Sequence, residues 1–411
     1  MSVATLEKFD VGGVLLDQPF KIRRLSHFGL NAYRMTECLD FYRDLLGFRV
    51  VDSMDWLRLM GRPMRPEYEE FGDLTGYFFR YAHDHHAFVL YNHRLRGALD
   101  TKGRFKPEVT INQITWQVQS LAETVQGHDW FVRRGEDVVR NGRDMPGSNW
   151  HTYLMDPEGH QNELCYGMEQ IGWNGRSKPK EMGARGFHHT PPLPQISEYE
   201  EVNQAAGQGL DLLSGFRDEE ALPLEHDVQG VLLARPFKIV KHGPVNLFCR
   251  DLERMERWYR ETLGFIVTET VTWRCHRCVF LRNGTEHHSL GLLPMALRSE
   301  LGLRQDTSTA WFGIQLANYR QLLDAQAFLK SHGVTLRELP PELAPGMDHT
   351  ILALDADGHA IQLYWSMEQI GWDGKPRPAD QRRKVTEGVW PTALEPDGDS
   401  FMGEPLLGPW G

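Results

Sequence analysis

The sequence predicts an α+β fold of four βαβββ modules arranged in two pairs. Two observations carry that expectation. First, the chain repeats itself. Residues 10–22 read DVGGVLLDQPFKI and residues 227–239 read DVQGVLLARPFKI, an offset of 217 that holds without a gap through DFYRDLLGF (40–48) and RWYRETLGF (257–265). Near the end of each half, GMEQIGWNGRSKP (167–179) pairs with SMEQIGWDGKPRP (366–378) at offset 199. Fixed-offset similarity of this length marks a duplicated unit. Second, the apolar periodicity inside each half runs through the same strand–helix–strands order twice.

The elements follow in chain order. Residues 22–33 (IRRLSHFGLNAY) read as a strand, and TECLDFYRDLL (36–46) as a helix stopped by Gly47. FRVVDSM, YFFRYA and HHAFVLYNH (85–93) read as three further strands. The first half is 18 residues longer between the anchors, and most of the excess is LMGRPMRPEYEEFGD (59–73), which reads as a loop insertion. The second module has a strand at TINQITWQV (110–118) and a helix at LAETVQGHDWFVRRG (121–135). Strands follow at EDVVR, NWHTYLMD and QNELCYG, the last two joined by a DPEGH turn (156–160). The order recurs at 238–294 and 310–366, with DADGH (355–359) as the matching turn. The expected layout is an N-terminal pair of modules (1–175), a connector (176–225) helical around 197–214, a C-terminal pair (226–380), and a Pro/Gly/Trp-rich tail (381–411) laid over a surface or a neighbouring subunit.

Composition narrows the function. The 411 residues carry 45 Lys+Arg against 56 Asp+Glu, a net charge of −11, which argues against a nucleic-acid surface. No apolar run reaches the roughly 18–20 residues of a membrane span, and the first residues lack the pattern of a secretory signal. Five Cys suit a reducing cytoplasm. Neither a nucleotide-binding glycine motif nor a GxSxG elbow is present. Cys275 and Cys278 have CxxC spacing but no second pair, so they read as ordinary packing. Eighteen His raise the question of metal.

The motifs H-x(13)-FY-x(4)-LGF (His27, Phe41, Tyr42, Leu46, Gly47, Phe48) and D-P-x-G-x(3)-E-L (Asp156, Pro157, Gly159, Glu163, Leu164) resemble the vicinal oxygen chelate superfamily. Four modules in one chain are similar in layout to the type I extradiol ring-cleaving dioxygenases. The resemblance implies that paired modules curl into barrel-like cups around a divalent metal, here Fe(II), with Mn, Zn or Ni as alternatives. It implies His27, Gln113 and Glu163 as ligands. Gln113 stands where the family has His, and Asn112 and His151 are the nearest substitutes. His85 or His86 would be the acid–base group, and only one of two adjacent strand residues can face inward. Tyr153 would hydrogen-bond a chelated substrate oxygen, and His151, two residues before it on the same strand face, would compensate for the family His that is absent at Asp144. Asp144 falls where the family keeps a His, and Trp116, Trp150 and Phe88 would line the ring.

In the second half the ligand positions fall on Pro244, Trp311 and Gln362, with His242 close to the first, so that half is expected to be metal-free. The function this implies is iron-dependent extradiol cleavage of a catecholic substrate with O2, in a cytoplasmic, homo-oligomeric enzyme. The alternatives are a glyoxalase-type isomerase, lyase or hydrolase, for which Gln is an acceptable ligand, and a non-catalytic aromatic-binding protein of the resistance type.

Overall fold

The computed structural model describes residues 7–143, 147, 149–185, 189–382 and 390–394. Each half opens with a short hairpin: β1 (Phe9–Val11) with β2 (Val14–Leu16), and β11 (His226–Val228) with β12 (Val231–Leu233). An eight-stranded mixed sheet follows in each half. The first contains β3 (Arg24–Ala32), β4 (Arg49–Asp55), β5 (Thr75–Arg80), β6 (Phe88–Asn92), β7 (Ile111–Gln117), β8 (Val138–Arg143), β9 (Trp150–Met155) and β10 (Gln161–Tyr166), in the order β4-β5-β6-β3-β7-β10-β9-β8. The second contains β13 (Ile239–Cys249), β14 (Ile266–Trp273), β15 (His276–Arg282), β16 (Leu290–Pro294), β17 (Thr309–Leu316), β18 (Leu336–Arg337), β19 (Thr350–Leu354) and β20 (Ala360–Tyr364), in the matching order. Each sheet is thus two βαβββ modules joined by the antiparallel pairing of their first strands, β3 with β7 and β13 with β17.

The helices are α1 (Met35–Asp40, extended by a π-helical segment Phe41–Leu45), α2 (Trp56–Leu59), α3 (Pro66–Glu69), α4 (His93–Leu99), α5 (Leu121–Arg134), α6 (Glu198–Gly207), α7 (Leu252–Leu263), α8 (Leu297–Glu300) and α9 (Tyr319–Ser331). The insertion at 59–73 contains α3 rather than loop alone, and the helical part of the connector is α6. Local chemistry sets the helix ends. Ser120 accepts from the Glu123 amide to start α5, Asp251 accepts from the Arg254 amide to start α7, and Gly264 takes a left-handed conformation (φ +76°) to stop α7.

The two halves dock by exchanging equivalent residues. Tyr42 donates to Asp355 (2.8 Å), and its counterpart Tyr259 donates to Asp156 (3.2 Å). Both aspartates also hold their own turns, Asp156 by accepting from the amides of Glu158, Gly159 and His160. The FY and D-P-x-G motifs therefore clasp one half to the other. Phe28 and Phe312 meet beside the clasp, with ring centroids 3.9 Å apart. In the described part of the tail, Trp390 stacks on Tyr319 and the Pro391 carbonyl accepts from the Tyr319 hydroxyl (2.6 Å). No helix among the described residues is long and apolar enough to cross a membrane.

Candidate metal centre and cavity

Strand alternation decides what faces the interior of the first sheet. A cavity of about 720 Å³ is lined by residues from all eight strands, including Met54 of β4 at one edge and Arg140 of β8 at the other. Because both sheet edges meet the same space, the sheet curls into a cup. The volume lies within the range of small-molecule sites.

His27 on β3 pairs across with Thr115 on β7, and Thr115 pairs with Glu163 on β10. Three adjacent strands thus bring these side chains together. His27 Nε2 lies 3.2 Å from Glu163 Oε2. The Thr115 hydroxyl lies 2.9 Å from His27 Nε2 and donates to Glu163 Oε2 (2.7 Å). Asn149 donates to the other carboxylate oxygen (2.6 Å), and His151 Nδ1 stands 3.9 Å from it. Burial alone would raise the Glu163 carboxyl, but His27, His151 and the Thr115 hydrogen bond outweigh it and hold the carboxyl down at about 2.

Gln113 sits two residues before Thr115 on the same face and lines the cavity, but it takes no part in the bonds that hold His27 to Glu163. Thr115 and Asn149 were not anticipated from sequence. Alternation points to both: to Thr115 from Gln113, and to Asn149, at the head of the expected strand NWHTYLMD, from His151 and Tyr153, although β9 itself begins one residue later.

His86 is the inward member of its pair: it lines the cavity, with its ring 4.2 Å from that of His27. His85 points away. Its Nδ1 meets His86 Nδ1 at 3.0 Å, and its Nε2 stands 4.0 Å from Asp52. Burial pushes His85 down to about 3 and His86 well below the ordinary imidazole range. Tyr153 and His151 lie on one face of β9, rings 4.7 Å apart, and both line the cavity.

Three expected ring-lining residues do not. Trp116 follows Thr115, so it faces the opposite side, where it donates to Asn162 and packs on Phe265. Phe88 is core, against Phe28, Tyr42 and Phe79. Trp150 neighbours His151 on β9 and so turns outward, beneath the Arg143 guanidinium. Asp144 lies outside the described residues. The wall instead includes Trp56, Phe78 and Tyr91.

A divalent ion fits the His27–Glu163 pair. Two ligands at about 2.1 Å from one ion and at a right angle stand about 3 Å apart, close to the spacing here. It does not find two imidazoles and a carboxylate: no cluster of three or more His, Cys, Asp or Glu suited to a metal occurs among the described residues. Neutral oxygens, those of Gln113 first, would complete the set. Thr115 or Asn149 would have to release the carboxylate.

In the second half the same register pairs Gln362 with Gly313, where Glu163 meets Thr115. A Cβ at Gly313 would lie 2.3 Å from the Gly243 carbonyl oxygen, so no hydroxyl can stand there. Trp311, at the counterpart of Gln113, is buried with Phe248, Phe280 and Tyr364 and fills the cup. Gln362 is buried, and its amide makes no hydrogen bond among the described residues. His242 bonds instead to Tyr81 of the first half (3.1 Å). Cys275 is exposed and Cys278 buried, in keeping with packing.

Comparison with known proteins agrees with this architecture. The family model described as the Glyoxalase/Bleomycin resistance protein/Dioxygenase superfamily matches residues 24–164 and 241–363. The chain belongs to that superfamily. Metapyrocatechase 2 of Cupriavidus necator is 28% identical over 164 residues, which are 39% of this chain and 42% of that protein. The chain thus matches less than half the length of that relative. Among solved structures, a catechol 2,3-dioxygenase aligns with TM-score 0.53 and 17% identity over 92% of this chain and 97% of its own. The Mn(II)-bound glyoxalase from Novosphingobium aromaticivorans aligns with TM-score 0.51 and 13% identity over 86% of this chain and 85% of its own. These structural likenesses show a shared fold.

Proposed function

We propose that this protein is a metal-dependent extradiol-type dioxygenase that opens a catecholic ring with O2, with its active site in the first half. The carrying observation is the His27–Glu163 pair beside a cavity whose wall also presents His86, His151 and Tyr153. His27, Glu163 and Gln113 would hold the ion. When bound, it supplies Lewis acidity at the two catechol oxygens and, as Fe(II), the redox chemistry with O2.

The remaining roles belong to the chain. With Nδ1 turned to His85, His86 has Nε2 left for the cavity. When His86 donates its Nδ1–H to His85, Nε2 is bare and can take the catechol hydroxyl proton. The resulting imidazolium keeps that bond, and Nε2–H can later return the proton to an oxygen of the opening ring. Desolvation keeps His86 neutral beforehand. Tyr153 presents a phenol to the substrate oxygens, its ring held beneath Arg140 (4.6 Å).

A second reading has specific support. One imidazole with one carboxylate and an amide suits the glyoxalase-type isomerases and hydrolases, with Mn, Zn or Ni. Anaerobic purification, loading with Fe(II), and addition of O2 with a panel of catechols separates the two. Oxygen uptake with a yellow product, lost in Glu163→Ala, is expected. Bound metal without uptake on any catechol moves the assignment to the second reading.

A further inference from the structure

The protein is acidic overall, at −11, yet its cavity wall is basic. The titratable wall outside the histidines and tyrosines comprises Arg96, Lys102, Arg104, Lys106 and Arg140 against one carboxylate, Asp100. Asp100 is already engaged, accepting from the backbone amides of Lys102 (3.0 Å) and Phe105 (2.8 Å). Three of the five cations have partners: Arg104 pairs with Asp137 (2.5 Å), Lys106 donates to the Glu158 carbonyl (2.8 Å), and Arg140 lies over the Tyr153 ring. Lys102 is exposed at the rim.

Arg96 differs. It projects from α4, the helix that Asn92 caps at the end of β6, and it is half-buried in the wall. It makes no hydrogen bond or ion pair within contact distance to any other described residue. Burial is the main cause that lowers its pKa, with Arg140 adding to it and Tyr91, Tyr153 and Asp100 offsetting it only in part, yet a guanidinium stays protonated. Asp100 acts on Arg96 only through space and makes no ion pair with it, so the guanidinium fork is left to match a ligand carboxylate. The cavity, at 720 Å³, is also larger than a single ring fills.

We infer that the substrate carries an anionic group, most simply a carboxylate on the ring or on a short side chain, and that Arg96 anchors it. The inference rests on the proposed function for the identity of the ring, but on the cavity's own charge for the anion. Arg96 is then a specificity-determining residue, orienting the ring so that its hydroxyls meet the His27–Glu163 end.

Anaerobic calorimetric titration of the full chain tests this with catechol, protocatechuate (3,4-dihydroxybenzoate) and benzoate. Protocatechuate should bind about tenfold or more tightly than catechol, as expected of a charge-assisted bidentate contact. In Arg96→Met the ratio should fall to about twofold or less, with Arg96→Lys between them as a folded, charge-keeping variant. Equal affinities in the wild type, a ratio that survives Arg96→Met, or no binding of either acid would overturn the inference. Benzoate binding that depends on Arg96 while catechol fails to bind would leave the inference standing and remove the ring-cleavage reading. Catechol binding without any acid preference would do the reverse.

Discussion

At the scale of single residues, the hydroxyl of Thr115 is the hinge of the site. It sits between His27 and Glu163, all three side chains buried. Thr115→Val keeps the shape and removes the bond. The Glu163 oxygen then loses a donor inside the protein, which costs about 1–3 kcal/mol. The expected outcome is a lower urea midpoint at unchanged slope. No change would show that the bond is not formed in solution. Glu169 gives a second test. Burial is the main cause that pushes its carboxyl up to about 7, against the amide and charge of Lys178. An acid raised in the folded state favours folding while it stays protonated, and that contribution is lost as pH rises from the unfolded value near 4.5 through 7. The loss is about 3 kcal/mol. Glu169→Gln should therefore be more stable than the wild type at pH 8, with the gap closing towards pH 4.5 in denaturation series. A gap independent of pH would contradict the buried, raised carboxyl.

At the scale of elements, register does most of the positioning. β3, β7 and β10 lie side by side, so one residue from each reaches one point. The periodicities of the chain made those strands legible, and the motif residues His27 and Glu163 with them. The neighbours were less legible, for physical reasons. Trp116 and Phe88 looked like a ring-binding wall because aromatics on strands serve both core and cavity, and only the parity of the strand separates the uses. Arg96 went unnoticed because α4 follows a strand directly and, at seven residues, is too short for a periodicity to read. Thr115 was legible in principle, one pleat from Gln113. The clasp between the halves belongs to this scale too. Tyr42→Phe leaves Asp355 short of a donor, and Tyr259→Phe does the same to Asp156. Each should cost about 1–3 kcal/mol, and the double variant should cost about the sum, because the two bonds are separate. A loss in only one variant would show that the two docking contacts are not equivalent.

At the scale of the molecule, duplication has produced one open cup and one filled cup. The second half keeps the fold, the docking clasp and even the paired histidines, with His287 and His288 meeting at 3.0 Å as His85 and His86 do. It has lost the space, because Trp311 and its aromatic neighbours occupy it. Burial holds His86, His242 and His288 well below the ordinary imidazole range and His85 at about 3. The unfolded chain protonates these groups near pH 6.5, so the metal-free protein should lose stability progressively as pH falls below that value, outweighing the opposing raised carboxyls of Glu169, Asp52 and Asp218. A melting temperature in chelator that stays flat from pH 7 to 5 would contradict this. The central claim is that a single metal site survives, in the first half. The direct measurement is the number of divalent ions bound per chain after anaerobic loading and desalting, in the wild type, Glu163→Gln and Gln362→Leu. One ion per chain, absent from Glu163→Gln and retained in Gln362→Leu, is the predicted result. Two ions per chain, or an ion that persists in Glu163→Gln, would contradict it.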